Sequence, residues 1–526
     1  MSKIDFRGPV VLVVMDGVGL SDDERYNAVK KAHLETLDRL MKDYPCAKLG
    51  AWGEYVGIPK DDMGNSEVGH NAMGAGEIVL QRSAAVEDAV TTGKIFDTQV
   101  WRDIVSRLTA NHGTLHFMGI FSDGNVHSNI AHVERMLAQA QREGIEHVRI
   151  HALIDGRDVP PQSEPKYIQR IEDYIRGLGN PDYRIASGGG RMVITADRYE
   201  NDWGMVAAGW HTHVFGEGRQ FKTATEAILT YRSENPGLQD QYMPAFVVAD
   251  DGEPIGKMHD GDACIYFDFR ADRALEMAKA FTFEDFPHFD RGNRPDVYFA
   301  GMTEYDEDKH IPAHTLVGSP VFKHTLTKHL SDLGIKQYAI SETVKFGHIT
   351  YYFNGNSHDI PAGEVEEEVP SYTEPFNTRP WMKSAEITDK LIAAIESGKY
   401  QFLRINFPGG DMVGHFAEME PTIVAMEAID LSIKRIVEAV EKAGGITIIT
   451  ADHGNAEELA DAAGTPKTSH TTNRVPCIFV DDTSNKDNYQ LAEGDFGLAN
   501  LASTITMLLG KDPYIDWLPS IIKEKQ

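Results

Sequence analysis

Short apolar runs that end in an acidic residue or a histidine constrain the fold of this chain most. The run VVLVVM (10–15) has no polar position, which is typical of a strand buried on both faces of a parallel sheet, and it ends at Asp16. The predicted strand YQFLRINF leads into PGGDMVGH, and GITIIT leads into ADHGN. Because ligands bind beyond the carboxyl ends of parallel strands, we expect the functional site at these ends.

Amphipathic segments separate the apolar runs. In the stretch 421–445, five apolar residues recur at steps of three and four, which predicts a helix with one buried face and a C-cap at Gly444: Met426, Ile429, Ile433, Ile436 and Val440. The alternation of strands and helices predicts an α/β fold with largely parallel sheets. The acidic run GEVEEEVPS (363–371) is interpreted as a solvated loop.

Length and charge limit the class of protein. The chain has 526 residues, enough for two or three domains with sizeable cores. It has 51 Lys and Arg against 80 Asp and Glu, a net charge of −29, which argues against nucleic acid or an anionic membrane as partner. A phosphorylated substrate would therefore require a local cluster of arginines.

Cysteine usage and the first residues of the sequence favour a reducing, cytoplasmic compartment. The 3 cysteines form no C-x-x-C pair, which suits a reducing compartment and excludes a disulfide scaffold or a thiolate zinc site. The segment MSKIDFRGP lacks the apolar core of a signal peptide, and no apolar run reaches membrane-spanning length. We expect a soluble cytoplasmic protein.

Acidic residues and histidines at the strand ends form candidate metal sites. Asp411 and His415 are four residues apart, so a helix would place both on one side, although an aspartate at a helix start and an unrelated surface histidine would give the same spacing. Adjacent Asp452 and His453 at the end of a buried strand would both need partners. Asp16 repeats this pattern, or else caps a helix. With His470 in TSHTTNRVP, the oxygen and nitrogen ligands suffice for two metals, with Mn²⁺ or Zn²⁺ favoured and Mg²⁺ or Co²⁺ tolerated.

Ser66 in MGNSEVGH has two interpretations. Two glycines and an asparagine surround it, so it could be a turn serine that caps a helix starting near Glu67. Alternatively it is a nucleophile: a divalent metal lowers the pKa of a hydroxyl that it binds, so that no histidine base is needed.

The middle of the chain carries arginines at the ends of predicted strands. Arginine binds phosphate and carboxylate in a bidentate manner, so this set predicts an anion pocket, while pairing with neighbouring aspartates is the alternative. The candidate residues are His127, Arg157, Asp158, Arg191, Arg198, Arg270 and Arg273.

Ten motifs in order resemble the cofactor-independent phosphoglycerate mutase family of the alkaline phosphatase superfamily. They run from about Val11 to Pro476: MDG, MGNSEVGHNAMGAG, SDGNVHS, DGRD, GGGR followed by DR, FRADRA, SETVKFGH, PGGDMVGH, TADHGN and TSHTTNRVP. The resemblance implies two α/β domains. A discontinuous, parallel-sheet metal domain like that of alkaline phosphatase would comprise 1–80 and 320–526, and a substrate-binding transferase domain would be inserted at 81–319.

The resemblance also implies roles for individual residues. One metal site would comprise Asp16, Ser66, Asp452 and His453, and the other Asp411, His415 and His470. Lys345 would join the seven anion-pocket residues in binding substrate, and Ser66, Asp158 and Lys345 would be catalytic. Two residues depart from the common family pattern: Ala271 stands where proline is usual, and Asp268 where asparagine is common.

The implied reaction interconverts 3-phosphoglycerate and 2-phosphoglycerate in glycolysis and gluconeogenesis, through a phosphoserine at Ser66 and without 2,3-bisphosphoglycerate. The implied cofactors are two divalent ions, with Mn²⁺ preferred, and the implied state is a monomer in the cytoplasm that binds only its small-molecule substrate. Two alternatives remain open at this point. One is a phosphatase or phosphopentomutase with the same metal core, and the other is a non-catalytic metal-binding or regulatory protein that kept the fold.

Overall fold

The structure is a computed structural model that describes residues 8–180, 182–198, 200–306, 309–318 and 320–525. The chain forms two compact units. The first unit joins the segment that ends at Gln81 to the segment that starts at Pro320, and the second unit is the stretch between them, Arg82–Ser319. Each unit has its own sheet and its own hydrophobic core.

The described strands are, in chain order, β1 (Val10–Met15), β2 (Cys46–Leu49), β3 (Thr114–Ile120), β4 (His147–Ile154), β5 (Tyr183–Gly190), β6 (Arg219–Phe221), β7 (Phe246–Asp250), β8 (Glu253–Pro254), β9 (Ala263–Tyr266), β10 (Tyr298–Gly301), β11 (Gln337–Glu342), β12 (Glu364–Val369), β13 (Phe402–Phe407), β14 (Ile446–Thr450), β15 (Val475–Val480), β16 (Tyr489–Leu491) and β17 (Ile522–Glu524).

The described α-helices are α1 (Ala28–Lys31), α2 (Glu35–Asp43), α3 (Ser66–Ala75), α4 (Arg82–Thr92), α5 (Gln99–Asn111), α6 (Ile130–Arg142), α7 (Glu164–Leu178), α8 (Trp203–Val214), α9 (Ala224–Glu234), α10 (Leu275–Thr282), α11 (Leu326–Asp332), α12 (Thr343–Gly347), α13 (Ser384–Glu396), α14 (Gly409–Gly414), α15 (Met419–Lys442) and α16 (Asn500–Leu508). None of them combines the length and the apolar character that crossing a lipid bilayer requires.

The sheet of the first unit has the strand order β12-β11-β13-β1-β14-β15-β2. The first five strands are parallel, and β15 and β2 extend one edge, each antiparallel to the strand before it. Strand β1 lies in the middle, and all six of its residues are fully buried. This burial explains why the run has no polar position, and it confirms the predicted α/β fold with largely parallel sheets.

The second unit is built on an eight-stranded sheet. Its main path is β10-β9-β3-β4-β5-β7-β6, and β8 pairs with β7. Strands β10, β9, β3, β4 and β5 are parallel, whereas β7 pairs with β5 in antiparallel orientation. Helices pack on both faces of this sheet, and the parallel strands bring their carboxyl ends to one edge.

Two local predictions can be compared with the structure directly. Helix α15 covers most of the predicted 421–445 helix, its apolar stripe is buried, and Gly444 follows it with φ +68°. The acidic run at 363–371 is not a loop, so that prediction is wrong. Residues 364–369 form the edge strand β12, because the partner strand β11 supplies a ladder of backbone hydrogen bonds and Glu364 is buried against Arg404.

Candidate metal centre and arginine cluster

Four neighbouring strands of the first unit, β11, β13, β1 and β14, end at one edge of the sheet. A charged residue follows each of them within four positions: Lys345 after β11, Asp411 after β13, Asp16 after β1 and Asp452 after β14. Parallel strands that are adjacent in the sheet thus gather side chains that are far apart in the sequence. The structure brings all seven predicted metal ligands to this edge.

One group of donors consists of Asp16, Asp452 and His453, whose ligand atoms lie within 4.8 Å of one another. All three side chains are fully buried. The Oγ atom of Ser66 lies 3.0 Å from His453 Nε2 and 3.3 Å from Asp16 Oδ1. The predicted nucleophile therefore borders the predicted metal ligands.

The second group consists of Asp411, His415 and His470. The Oδ1 atom of Asp411 lies 3.1 Å from His415 Nε2 and 3.0 Å from His470 Nε2, and the two Nε2 atoms are 3.3 Å apart. Helix α14 includes Asp411 and ends just before His415, so the four-residue spacing does place both side chains on one side.

The histidine tautomers show that these groups suit a cation. His415 Nδ1 donates to the carbonyl of Thr468 at 2.6 Å, and His470 Nδ1 donates to that of Gly64 at 2.8 Å. In the neutral imidazoles Nε2 then carries a lone pair that faces a carboxylate oxygen. In the other group, Asp452 Oδ2 is buried without a hydrogen-bond donor among the described residues. Converging oxygen and nitrogen lone pairs without thiolates fit divalent ions such as Mn²⁺, Co²⁺ and Zn²⁺.

The side chain of Lys345 places a positive charge among these carboxylates. Its Nζ atom lies 2.5 Å from Ser66 Oγ, 2.7 Å from Asp411 Oδ2 and 2.9 Å from Asp16 Oδ1. Burial alone would raise the pKa values of Asp16 and Asp411, but attraction to Lys345 and the histidines holds both pKa values below the usual range. Burial and the neighbouring Asp16 raise the pKa of Asp452. Three carboxyl groups thus share one lysine.

Ser66 is the first residue of helix α3, and it is not the cap that one interpretation made it. Asn65 occupies the cap position, and its side chain accepts a hydrogen bond from the backbone N–H of Val68. The Ser66 side chain is free to point at the charged cluster. The positive end of the helix dipole favours negative charge at this position.

Two glycines allow the strand ends and α3 to approach this closely. A Cβ atom on Gly69 would lie 2.6 Å from the carbonyl oxygen of Asp452, and one on Gly17 would lie 2.6 Å from the backbone nitrogen of Asp411. Gly17 also has φ +75°, a conformation that other residues rarely adopt. The glycines of the MDG and SEVGH motifs therefore have a steric role at the site.

Two groups that orient the proposed ligands, Asn406 and His70, were not predicted from the sequence. Asn406, at the end of β13, donates to Asp16 Oδ2 at 2.8 Å, and its Nδ2 lies 3.2 Å from His70 Nε2. His70 Nδ1 in turn donates to the Ser66 carbonyl at 2.8 Å. A polar residue inside the apolar run YQFLRINF was the available signal for Asn406. Ligand-orienting partners of this kind fix the geometry of metal sites.

The predicted anion-binding residues other than Lys345 lie in the second unit. Six side chains form one charged cluster after the carboxyl ends of the strands: His127, Asp158, Arg191, Arg198, Arg270 and Arg273. Arg157 is exposed, and its backbone N–H donates to Asp155. Lys345 belongs to the first unit, beside Ser66.

Aspartates pair with the arginines and with His127. This pairing is the alternative to an anion pocket that the sequence left open. Arg191 Nη1 donates to Asp155 Oδ1 at 2.7 Å and to Asp158. Asp272 lies 2.5 Å from Arg198 Nη2, 3.3 Å from Arg270 Nε and 3.4 Å from His127 Nδ1. Asp155 and Asp272 were not predicted, although both stand inside the quoted motifs DGRD and FRADRA. An anion that binds here would replace or share these contacts.

The electrostatics of the cluster still favour an anion. Burial and the nearby Arg191 and Arg198 lower the pKa of Arg273 to about 10. Burial and Arg191 lower the pKa of His127 to about 4. Asp268 adds little negative charge near neutral pH, because burial raises the pKa of this carboxyl to about 8. Its Oδ1 accepts the N–H of Ile120 at 2.8 Å.

The α/β fold and the match to a family model together define a metalloenzyme. The model of the metalloenzyme superfamily matches residues 8–513. A probable 2,3-bisphosphoglycerate-independent phosphoglycerate mutase from Leptospira interrogans is 43% identical over 99% of both chains, and the 2,3-bisphosphoglycerate-independent phosphoglycerate mutase of Trypanosoma brucei brucei is 44% identical over 98% of both. A crystal structure of Leishmania mexicana phosphoglycerate mutase at low cobalt concentration covers 99% of each chain at 41% identity, with a TM-score of 0.69.

The chain belongs to the family of 2,3-bisphosphoglycerate-independent phosphoglycerate mutases. It is an enzyme of that class, and its reaction is the interconversion of phosphoglycerates.

Proposed function

We propose that the enzyme converts 3-phosphoglycerate to 2-phosphoglycerate, and the reverse, in glycolysis and gluconeogenesis by way of a phosphoserine at Ser66. The observation that carries this proposal is the position of Ser66 Oγ at the first turn of α3, 2.5 Å from Lys345 Nζ, 3.0 Å from His453 Nε2 and 3.3 Å from Asp16 Oδ1. A serine that only capped the helix would turn toward the backbone N–H groups of its own helix.

The two ligand groups would each hold one divalent ion. Asp16, Ser66, Asp452 and His453 would bind one ion, and Asp411, His415 and His470 the other. We propose Mn²⁺ as the preferred ion, because the donors are carboxylate and imidazole without thiolate. When bound, such ions act as Lewis acids and lower the pKa of a hydroxyl ligand.

The arginine cluster of the second unit would bind the phosphoglycerate. Guanidinium groups bind carboxylate and phosphate in a bidentate manner, and a cluster that already lowers the pKa of Arg273 gains stability from an added anion. His127, Arg157, Arg191, Arg198, Arg270 and Arg273 would hold the substrate, and Lys345 would contact the transferring phosphoryl group. The first unit would then serve as the phosphatase-like metal domain and the second as the transferase domain.

In the first half of the reaction, Ser66 Oγ attacks phosphorus in line with the bond to the substrate's O3. Ser66 has released its hydroxyl proton to solvent before the attack. The bond from phosphorus to O3 breaks as the bond to Ser66 Oγ forms, and O3 takes a proton from Asp158, which enters the reaction in its protonated form. Lys345 and the amino terminus of α3 offset the negative charge that develops on the phosphoryl oxygens.

In the second half, glycerate turns while the arginines hold it, and Asp158 takes the proton of the 2-hydroxyl. Oxygen O2 attacks phosphorus, and Ser66 is regenerated in its starting protonation state. Asp158 is positioned for this exchange by Arg191, whose Nη1 donates to Asp158 Oδ2, and by His127, whose Nε2 lies 3.8 Å from the same oxygen.

The test follows products by phosphorus NMR with metal-free protein, added Mn²⁺ and 3-phosphoglycerate, and no bisphosphoglycerate. We expect 2-phosphoglycerate to form only with metal, and acid quenching with labelled substrate to leave label on the peptide that contains Ser66. Ser66→Ala should abolish both signals, whereas Ser331→Ala, a partly exposed serine of the same unit, should leave both unchanged.

Inorganic phosphate as the sole product would show that the enzyme is a hydrolase. Label on a residue other than Ser66, or full turnover of Ser66→Ala, would remove Ser66 from the mechanism.

Two further properties belong to this proposal. We place the enzyme in the cytoplasm, where its three free thiols would stay reduced. The monomeric state implied by the family resemblance stays a prediction, which sedimentation equilibrium at micromolar concentration would check.

A further inference from the structure

A buried chain of hydrogen bonds crosses the second unit outside the arginine cluster. It runs from Asp262 through His116, His151, Ser187 and His213 to Thr195. Its five donor–acceptor distances are 3.3, 2.9, 2.6, 2.8 and 3.0 Å, in that order. None of the six residues is more than 5% exposed. We call this chain the histidine relay.

The direction of every bond in the histidine relay follows from its first member. Burial opposes the charged form of Asp262, but hydrogen bonds from His116 and from backbone N–H groups outweigh this effect and lower the pKa of the carboxyl. An ionised carboxylate only accepts, so His116 donates from Nε2 and its Nδ1 must accept from His151 Nε2.

The donor and acceptor of the three remaining hydrogen bonds are fixed in the same way. His151 Nδ1 accepts from Ser187, Ser187 Oγ accepts from His213 Nδ1, and His213 Nε2 is left to accept from the hydroxyl of Thr195. All three imidazoles must be neutral in this pattern. Burial lowers the pKa of His213 to about 3 and lowers those of His116 and His151 as well, which agrees with the pattern.

Thr195 needs this hydrogen bond because its backbone is strained. It has φ +70°, which is rare for a β-branched residue. The N–H of Ala196 donates to the carbonyl of Ile194 at 2.7 Å, so Thr195 is the central residue of a γ-turn, and positive φ makes this the strained form. Strained backbone of this kind persists only where surrounding contacts hold it, and it is found at functional sites.

The turn at Thr195 sets the position of two arginines of the cluster. The carbonyl oxygen of Ala196, which the turn directs, accepts from Arg273 Nη1 at 2.6 Å. Arg198 follows three residues after Thr195 and reaches Asp272. A relaxed turn would move the Ala196 carbonyl and the chain that leads into Arg198.

We propose that Thr195 and His213 are positioning residues of the mutase. The histidine relay holds the strained turn that orients Arg273 and Arg198 toward the substrate. The inference rests on the proposed substrate role of these arginines, and the proposal assigns no proton transfer to the relay.

The first test measures the tautomers, and it does not depend on the reaction. Long-range proton–nitrogen correlation spectra of protein labelled in the histidine rings, assigned with single histidine substitutions, should show His213 as the neutral Nδ1–H form and His116 and His151 as Nε2–H forms at pH 6 to 8. An Nε2–H form of His213, or its protonation in this range, would overturn the assigned direction.

The second test measures steady-state kinetics with saturating Mn²⁺. Thr195→Val keeps the branched shape and removes the hydroxyl, and we expect it to raise the KM for 3-phosphoglycerate about tenfold with a much smaller change in kcat. Thr195→Ser should restore the KM to within about twofold. Thr282→Val, which removes a hydroxyl hydrogen bond at the end of α10, is the matched control and should leave the KM unchanged.

Arg273→Ala and Arg198→Ala separate the two proposals. If neither variant raises the KM, the proposed role of the arginines is wrong. If both raise the KM but Thr195→Val does not, or if Thr195→Val lowers only the stability of the protein, the positioning role is wrong.

Discussion

The Nζ atom of Lys345 lies 2.5 Å from the Oγ atom of Ser66, and the same ammonium group contacts Asp16 and Asp411. A single lysine therefore contacts both the proposed nucleophile and one carboxylate from each proposed ligand group. Its charge is secured because Asp16 and Asp411 outweigh burial and raise its pKa. This ammonium group can offset charge on a phosphoryl group without first taking up a proton.

Lys345→Met should reduce kcat by about 100-fold or more, because removal of one donor that stabilises transition-state charge has about this effect. Metal affinity should not fall, because the variant removes a positive charge from among the ligands. Rates of 2-phosphoglycerate formation and metal titrations would measure the two effects. Lys390→Met, a half-exposed lysine of the same unit that pairs with Glu367, should behave like wild type. A loss of metal affinity in Lys345→Met would contradict this role.

His415→Ala should weaken metal binding at the second ligand group by more than about tenfold, since one of three donors is lost. Activity at micromolar Mn²⁺ should fall, and a large excess of Mn²⁺ should restore much of it. Calorimetric titration of metal-free protein measures the affinity. His358→Ala, an exposed histidine of the same unit, provides the control. Equal metal affinity in the two variants would exclude His415 as a ligand.

Gly69→Ala should lower both activity and stability, because the new Cβ atom would lie 2.6 Å from the backbone oxygen of Asp452. Overpacking of this kind costs about 1–3 kcal/mol in the free energy of unfolding. The displaced ligand should also reduce kcat. Gly177→Ala, at the exposed penultimate residue of α7 with nothing within 4 Å of the new atom, should instead be neutral or slightly stabilising. Urea unfolding and steady-state rates distinguish these outcomes.

Asp268→Asn should become increasingly stable relative to wild type as pH rises from about 4 to 8. Burial raises the folded-state pKa of Asp268 from 3.8 to about 8, so in this window the folded protein keeps a proton that the unfolded chain has lost. Folding of the wild type is therefore disfavoured as pH rises, by up to about 1.4 kcal/mol per pH unit, and the effect levels off above pH 8.

The asparagine cannot ionise, and its amide oxygen can still accept the N–H of Ile120. Urea midpoints of both proteins at pH 5, 6, 7 and 8 give the difference in stability. A constant difference across this range would show that Asp268 is already charged in the folded enzyme.

The parts of the fold that depend on short-range pattern were accessible from the sequence. Strand β1 could be predicted because burial on both faces leaves no polar position, and helix α15 because its apolar residues recur at the helical period. The site could be located because parallel strands end at one edge, which brings Asp16, Asp411 and Asp452 together.

Other parts depended on contacts that no local pattern encodes. Strand β12 is rich in glutamate, and only its pairing with β11 makes it a strand. The histidine relay connects residues that are far apart in the sequence, such as His116 and Asp262, because neighbouring strands bring them together. Their spacing in the sequence therefore gives no signal of the relay. Asn65 and not Ser66 caps the helix, because the Ser66 side chain instead contacts Lys345. A contact between residues so far apart in the sequence cannot be read from the local pattern.

The central position of β1 has a consequence for how a ribosome delivers this enzyme. Its partner strands pair Val10 with Phe402 and with Ile446, so β1 is synthesised long before the two strands that flank it. At about 5–20 residues per second, translation of the intervening chain takes roughly 20 to 80 s. The second unit is continuous in sequence and can fold during this interval, whereas β1, wholly apolar, stays unpaired. Newly made chains therefore need protection of β1, and products that stop before β13 lack both strands that flank β1.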